Sequence, residues 1–471
     1  MVASRFPAST VYSRWMLAAV CLLALAFTPQ SAPAVPSFAR QTGFPCIACH
    51  VPFPQLTQFG REFKARGYTM STHATKLPPM ALMLEGGPSY THTTKDQNKA
   101  DLPPDSHAND NVALNQASLF YAGQLLGPYA DIMFPASVAD VFDHFGVMAQ
   151  GTWDGVADEF AIDNTEFRGG DAFTFKSHDL DLIYGAWVNN NPGMQDLWNS
   201  SPVWGFPFSS SGYAPAPAAA PMLAGGFAQQ VVGGGGYAWL ETCLYAELGV
   251  YGTASADFQR DLGVDPDGEN EIDGGAPYWR LAFEYRWGGS SLMVGTFGMD
   301  AHTFPQRIKT AGRDHLTDAA LDFQYQYTFA RHDVTLMGSS IYEHADWNAS
   351  HPLAITSRSS GDLWDTTITA SYLFDKIYGI DFQFFDISGD SDALLFGIRT
   401  GSPDSNGIVV QLNYLPFNKS GGPSFWPKSN LKLSLQYTHY NRFDGSSSNF
   451  DGDGRDASDN DTLFLEAWWV L

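Results

Sequence analysis

Beyond its N-terminus the sequence has no apolar run of about 18 residues, which excludes a chain that crosses a membrane with helices. Basic residues are scarce, 26 Lys and Arg against 50 Asp and Glu, giving a net charge of −24. A chain this acidic cannot neutralise phosphates and release their counterions, so nucleic acid is excluded as a partner. Charge of either sign is thin, at 16% of residues, where ordinary globular proteins carry roughly 25%. Cysteine is limited to four residues, and neither an internal repeat nor a coiled-coil heptad is present. Aromatics (14%) and glycine (45 residues) are plentiful instead. Length alone would suggest two or three soluble domains, but this composition fits one large β protein, with a membrane barrel as first candidate.

Residues 1–34 read as a secretory signal. Arg5 and Arg14 are the only charges before the apolar stretch Trp15 to Phe27, and Ala32-Pro33-Ala34 offers an A-x-A cleavage site. Cys21 lies inside that stretch and would leave with it. Export implies a compartment that permits thiol oxidation.

The remaining cysteines are Cys46, Cys49 and Cys243. The first two belong to Cys46-Ile47-Ala48-Cys49-His50, the c-type haem attachment pattern. Two thiols at this spacing can add to both haem vinyl groups, and the adjacent His50 imidazole can reach the iron as proximal ligand. A plain disulfide or half a zinc site uses the same residues, but zinc would need a second pair, which the chain lacks. A thioredoxin-like motif needs a βαβ setting, which Pro45, Pro52 and Pro54 deny. One covalent haem c is therefore the expected cofactor. For the distal position Met70 is the first candidate and His73 the alternative, with Met80 and Met83 a little further on.

Residues 35–77 form this haem segment, with a short helix expected over Gln55–Arg66. So short a segment cannot bury a macrocycle unaided and must lean on residues 78–471. There, strand patterning takes over. In 321–329, Leu321, Phe323, Tyr325, Tyr327 and Phe329 alternate with Asp322, Gln324, Gln326 and Thr328. Segments 279–287 and 431–438 alternate as strictly. Weaker alternation marks 80–90, 114–126, 179–188, 244–251, 291–299, 333–343, 366–374, 378–386, 392–400, 408–415 and 462–471. A soluble antiparallel sheet would alternate too. Segment length, aromatic ends and the contrast of short turns with long loops favour an all-β transmembrane barrel of about 16 strands, its lumen plugged by the haem segment.

Asn189 to Ala228, with six prolines, keeps no strand register and reads as a folded loop turned into the lumen. Asp444 to Asp461 carries six aspartates against Arg455 alone, and reads as a solvated external loop rather than a calcium site. Asp261 to Asp273 is similar. Cys243 is expected on the lumen face of a strand beside Tyr245 and Glu247. Asp181, Glu247 and Glu284 are lumen carboxylates able to contact a transient Fe²⁺, or to form an ordinary charge ladder.

Phe38-Ala39-Arg40-Gln41-Thr42-Gly43, the haem motif, and Phe59-Gly60-Arg61-Glu62-Phe63-Lys64-Ala65 through Gly67-Tyr68-Thr69-Met70 resemble the outer-membrane monohaem cytochrome–porin fusions of iron-oxidising bacteria. Asn189-Asn190-Asn191-Pro192, Gln195-Asp196-Leu197-Trp198-Asn199, Trp204-Gly205-Phe206-Pro207 and Ala216 to Pro221 are similar to the same family. The resemblance implies a 16-stranded outer-membrane barrel plugged by one haem segment, with Cys46, Cys49 and His50 as haem residues. It also implies electron transfer from extracellular Fe(II) to a periplasmic cytochrome c or other soluble carrier. Were the protein an enzyme, it would be an Fe(II):cytochrome c oxidoreductase. A monomer in outer-membrane lipid is expected. The competing expectations are a porin or uptake channel with a structural or sensory haem plug, and an oxidase of another extracellular donor.

Overall fold

The computed structural model describes residues 36–51, 54–71, 78–93, 106–126, 129–176, 180–419, 422–423 and 429–471. The expected signal segment 1–34 and His73 lie outside them. In chain order the strands are β1 Met80–Thr91, β2 Asp110–Gln124, β3 Phe145–Asp154, β4 Glu159–Phe175, β5 Leu180–Asn189, β6 Val231–Leu240, β7 Leu244–Thr253, β8 Glu271–Ile272 and β9 Ala276–Trp287. They continue as β10 Ser290–Phe304, β11 Asp314–Phe329, β12 His332–Asp346, β13 Ser360–Phe374, β14 Tyr378–Gly389, β15 Ser405–Tyr414, β16 Asn430–Arg442 and β17 Thr462–Val470.

All belong to one antiparallel sheet that closes on itself. Met83 of β1 faces Ser118 of β2 on one side and Val470 of β17 on the other. β7 pairs directly with β9, and the two-residue β8 only extends the rim beside β10. The wall is therefore a closed 16-stranded barrel, as the alternation predicts.

Burial decides which kind of barrel it is. On β11, Leu321 is 68% exposed while Asp318 and Asp322, on the opposite face, are 1% and 3% exposed. The wall is apolar outside and polar inside, the reverse of a soluble sheet. Only a closed sheet pairs every backbone group without leaving an edge in lipid. This is an integral outer-membrane β-barrel. Stacked aromatic pairs such as Tyr285–Trp287, Tyr327–Phe329 and Tyr378–Tyr414 ring the outside near one end. At that end β1 starts, β17 finishes, and the connections 241–243, 288–289, 330–331 and 375–377 are tight turns. At the other end the connections 190–230, 254–275, 390–404 and 443–461 are long, against 125–144 and 415–429 at the first end, and this balance marks the other end as extracellular.

Several expectations change. Segment 392–400 is not a strand: the buried Asp392 carboxylate accepts the backbone N–H groups of Ser357, Arg358, Leu394 and Leu395, which holds a loop. Three wall strands, β3, β4 and β6, lack the expected pattern. A bulge between Ala149 and Gly151 shifts the β3–β4 register, so Phe160 and Phe167 both point outward at odd spacing. In β6 glycines replace inward side chains: a Cβ on Gly235 would lie 2.6 Å from the Trp187 ring, and one on Gly233 2.2 Å from that of Tyr251. Cys243 sits half-buried in the turn before β7, not on the strand.

The exterior belt makes a depth-dependent prediction. Leu321→Arg, at the middle of β11, should destabilise the barrel by about 2–4 kcal/mol, and Phe329→Arg at its end by about 0–1 kcal/mol. Urea unfolding in lipid vesicles measures both, and equal costs would contradict the assignment of the belt.

Candidate functional site

Residues 36–71 enter the lumen from the end where β1 begins, as three short helices: α1 Pro36–Thr42, α2 Cys46–Cys49 and α3 Gln58–Ala65. The Gln41 side chain ties the segment to itself and to the wall. Its Nε2 donates to the carbonyls of Tyr68 (2.6 Å) and Met70 (3.0 Å), and its Oε1 accepts the Gln124 N–H (3.0 Å). Thr57 caps α3 by accepting the Gly60 N–H, and its hydroxyl donates to the Ala48 carbonyl of α2 at 2.7 Å. The cap starts α3 at Gln58, later than the expected Gln55. Gly60 is where the two helices touch, since a Cβ there would lie 2.4 Å from the Cys49 carbonyl oxygen. Gly67, at φ +71°, ends α3 in a left-handed turn.

The opposite face of α3 is charged and wholly buried against the wall. Arg61 donates to Glu284 (2.6 Å), Gln324 (3.1 Å) and Gln326 (2.8 Å). Lys64 donates to the carbonyls of Met194 (2.7 Å) and Asp196 (2.9 Å), and burial lowers its pKa to about 8. Tyr68 donates to Glu166 (2.7 Å), which also takes two hydrogen bonds from Arg168 at 3.0 Å. Charges removed from water persist only when paired in this way.

Connection 190–230 folds inward over the plug, as expected from its prolines and tryptophans. Asp196 pairs with Arg280 of β9 at 3.2 Å, and Trp198 Nε1 donates to Glu284 at 3.1 Å. The Pro207 carbonyl accepts Lys432 Nζ at 2.8 Å, while the Met222 and Leu223 N–H groups donate to Glu343 and Asp318. The loop is thereby pinned to most of the barrel circumference.

Between plug, loop and wall lies a cavity of about 900 Å³. Cys49 and His50 line it, with Phe38, Phe63, Trp204 and Phe206 among the aromatic walls. Cys46 is wholly buried one turn earlier, packed beside Ala39. Both thiols are free, and burial raises both pKa values, that of Cys49 to about 12. His50 Nδ1 donates to the Pro54 carbonyl at 2.8 Å, which leaves the ring lone pair on Nε2, and burial lowers its pKa to about 4. A neutral imidazole oriented through Nδ1 is what a metal-bound iron ligand requires. Cys49 and His50 on the cavity wall fit a haem attached at that thiol and imidazole, whereas Cys46 lies behind the lining and would have to turn toward the cavity to form the second bond.

The remaining candidates are dispersed. Met70 is half-buried and outside the cavity lining. The methionines that line the cavity are Met83 of β1, Met148 of β3 and Met337 of β12. Met148 and Met337 carry no local sequence signal, because each is one inward position among many along its strand. Glu284 is held by Arg61, Trp198 and Arg286. Glu247 accepts the Tyr245 hydroxyl at 2.9 Å, and Asp181 accepts that of Thr174 at 2.6 Å near the periplasmic rim. The three carboxylates sit on different strands and form no common site.

No protein-family model and no curated protein matches the chain. Among solved structures it is similar to the anion-selective porin from Comamonas acidovorans, with 12% identity over 83% of this chain and 98% of that one and a TM-score of 0.42. It is also similar to OmpT of Vibrio cholerae (9% identity, 83% and 97% covered, TM-score 0.40). The outer membrane channel DcaP of Acinetobacter baumannii compares similarly (8% identity, 83% and 96% covered, TM-score 0.40). The barrel assignment rests on this chain's own strand pairing.

Glu284→Gln should strand the buried Arg61 guanidinium, a loss of about 3–5 kcal/mol for a broken buried pair. The strands do not need that pair. The expected result is an intact, heat-modifiable barrel whose segment 36–71 is cut by protease much faster than in the parent. Unchanged cleavage would show that the ion pair does not hold the plug.

Proposed function

We propose that this barrel is an electron conduit, taking electrons from extracellular Fe(II) and passing them through one covalently held haem c to a periplasmic cytochrome or other soluble carrier. The observation that carries the reading is a C-x-x-C-H helix inside the lumen, with Cys49 and His50 on the wall of a cavity of mixed lining. A haem bound there supplies a one-electron couple, matched to a donor that also gives up one electron.

The chain's own residues do the rest. Cys46 and Cys49 would hold the group by thioether bonds, and His50, oriented by the Pro54 carbonyl, would present Nε2 to the iron. Phe38, Phe63, Trp204 and Phe206 restrict water around it. The apolar belt of such barrels is about 25 Å tall, so a redox centre below the barrel would lie too far from an external donor. A plug in the lumen shortens the gap. At the extracellular end, connection 443–461 bears Asp451, Asp453, Asp456 and Asp459 at its surface, while Asp444 and Asp461 are buried and Asp461 accepts from Tyr437, His439 and Tyr440. The surface carboxylates attract divalent cations over roughly one Debye length, about 8 Å at physiological ionic strength.

A porin or uptake channel with a structural or sensory haem plug would share the same barrel and cavity, as would an oxidase of another donor. Stopped-flow spectroscopy of vesicles carrying the protein separates these readings. Fe(II) outside should reduce the haem within a turnover, and His50→Ala should abolish that reduction while the barrel still folds. A haem that stays oxidised while small sugars permeate the vesicles would establish the channel reading. Reduction by a sulfur donor but not by Fe(II) would establish the third. Gly60→Ala should push α3 off Cys49 and lower the haem-to-protein ratio, read by pyridine haemochrome. A stoichiometric ratio in that variant would detach the helix contact from cofactor binding.

A further inference from the structure

A second cluster lies far from the lumen. His302 of β10 and His315 of β11 are directly opposite one another, and their rings stack at 4.4 Å with an interplanar angle of 15°. Asp300, two residues before His302 on the same face, bonds His315 Nε2 at 2.8 Å and the Thr317 hydroxyl at 2.9 Å. Met299, Ala301 and Thr303 are 1%, 1% and 0% exposed and face inward, so Asp300 and His302 face outward. The cluster therefore sits on the outside of the barrel near its extracellular rim, beyond the apolar belt.

One donor atom from each of Asp300, His302 and His315 lies within 4.8 Å of the others. An ion about 2.1 Å from each donor would need them about 3–4 Å apart. Rotation of half-exposed side chains can close that difference. The backbone under the cluster is fixed by the cross-strand register and by β8, and the Asp273 N–H donates to the His302 carbonyl at 2.7 Å. The nearby cation Arg313 is engaged by Asp273 at 2.6 Å. Both imidazoles can donate a lone pair to one cation whose charge Asp300 offsets.

We infer that Asp300, His302 and His315 form a site for one divalent transition-metal ion on the outer wall of the barrel. Two imidazoles and one carboxylate select borderline ions such as Zn²⁺ or Fe²⁺ over Mg²⁺ and Ca²⁺, which take oxygen ligands. Three protein ligands leave coordination positions open to solvent or to groups of the surrounding envelope. Binding would clamp the extracellular ends of β10 and β11. The site is independent of the haem and of the electron-transfer reading.

The test is calorimetric titration of the untagged, detergent-solubilised full chain with ZnCl₂. The expected result is one site per chain, weakened at least tenfold by His302→Gln and by His315→Gln and persisting under a large excess of Mg²⁺. His439→Gln, at the outward His439–Asp461 pair on β16, should leave it unchanged. These side chains lie outside the core, and heat-modifiable mobility verifies that each variant folds. Equal binding by the parent and the His302→Gln/His315→Gln double variant would overturn the assignment. So would an absence of binding, which would reduce the cluster to a cross-strand ion pair.

Discussion

Glu284 is the point at which wall, plug and loop meet. Buried on β9, it accepts Arg61 from the plug, Trp198 from the inward loop and Arg286 from its own strand. Apolar packing would tolerate sliding and rotation of a short helical segment. Charge-assisted hydrogen bonds do not, because a guanidinium displaced in a dry lumen loses its partner and pays the full desolvation cost. The cavity beside Cys49 and His50 depends on this junction, since α3 sets where α2 rests through Gly60 and Thr57.

The acid surplus has two destinations. Some of it decorates the extracellular connections, where it shapes the field met by an approaching cation. Much of the rest is inside, accepting backbone N–H groups from segments without regular structure. Asp196 holds Trp198, Ser200 and Ser201; Asp314 holds Ala349 and Ser350; Asp318 and Glu343 hold Leu223 and Met222. In a soluble protein such loops would be solvated. Here carboxylates of the wall, and Asp196 within the loop itself, take the place of water.

The barrel was largely legible from period-two alternation, and the plug from the cysteine–histidine motif, because each leaves a local signature. The misreadings have local causes. The β3–β4 bulge reverses parity midway, so Phe160 and Phe167 do not fit one template. The glycines of β6 make room for Trp187 and Tyr251, rings borne by other strands. Segment 392–400 has apolar content, but Asp392 turns the chain. At the candidate site the motif points to Cys46, Cys49 and His50, of which Cys49 and His50 line the cavity, whereas Met148 and Met337 reach it only because barrel closure brings their strands around it. The His302–His315 pairing is likewise set by register, and two histidines thirteen residues apart carry no metal-site spacing of their own.

The plug's anchors are remote in the chain. Arg61 bonds partners 223, 263 and 265 residues downstream, while β1, immediately after the plug, must find β17. Contacts of such long range are the last to form in a folding chain. The plug, although it precedes the whole barrel wall in the chain, is therefore among the last parts to become ordered. Until the seam between first and last strand closes, its two thiols and its imidazole remain within reach of whatever else the periplasm contains. Sequence order and closure order run opposite to one another, and the interval between them is the window in which the plug can be chemically modified.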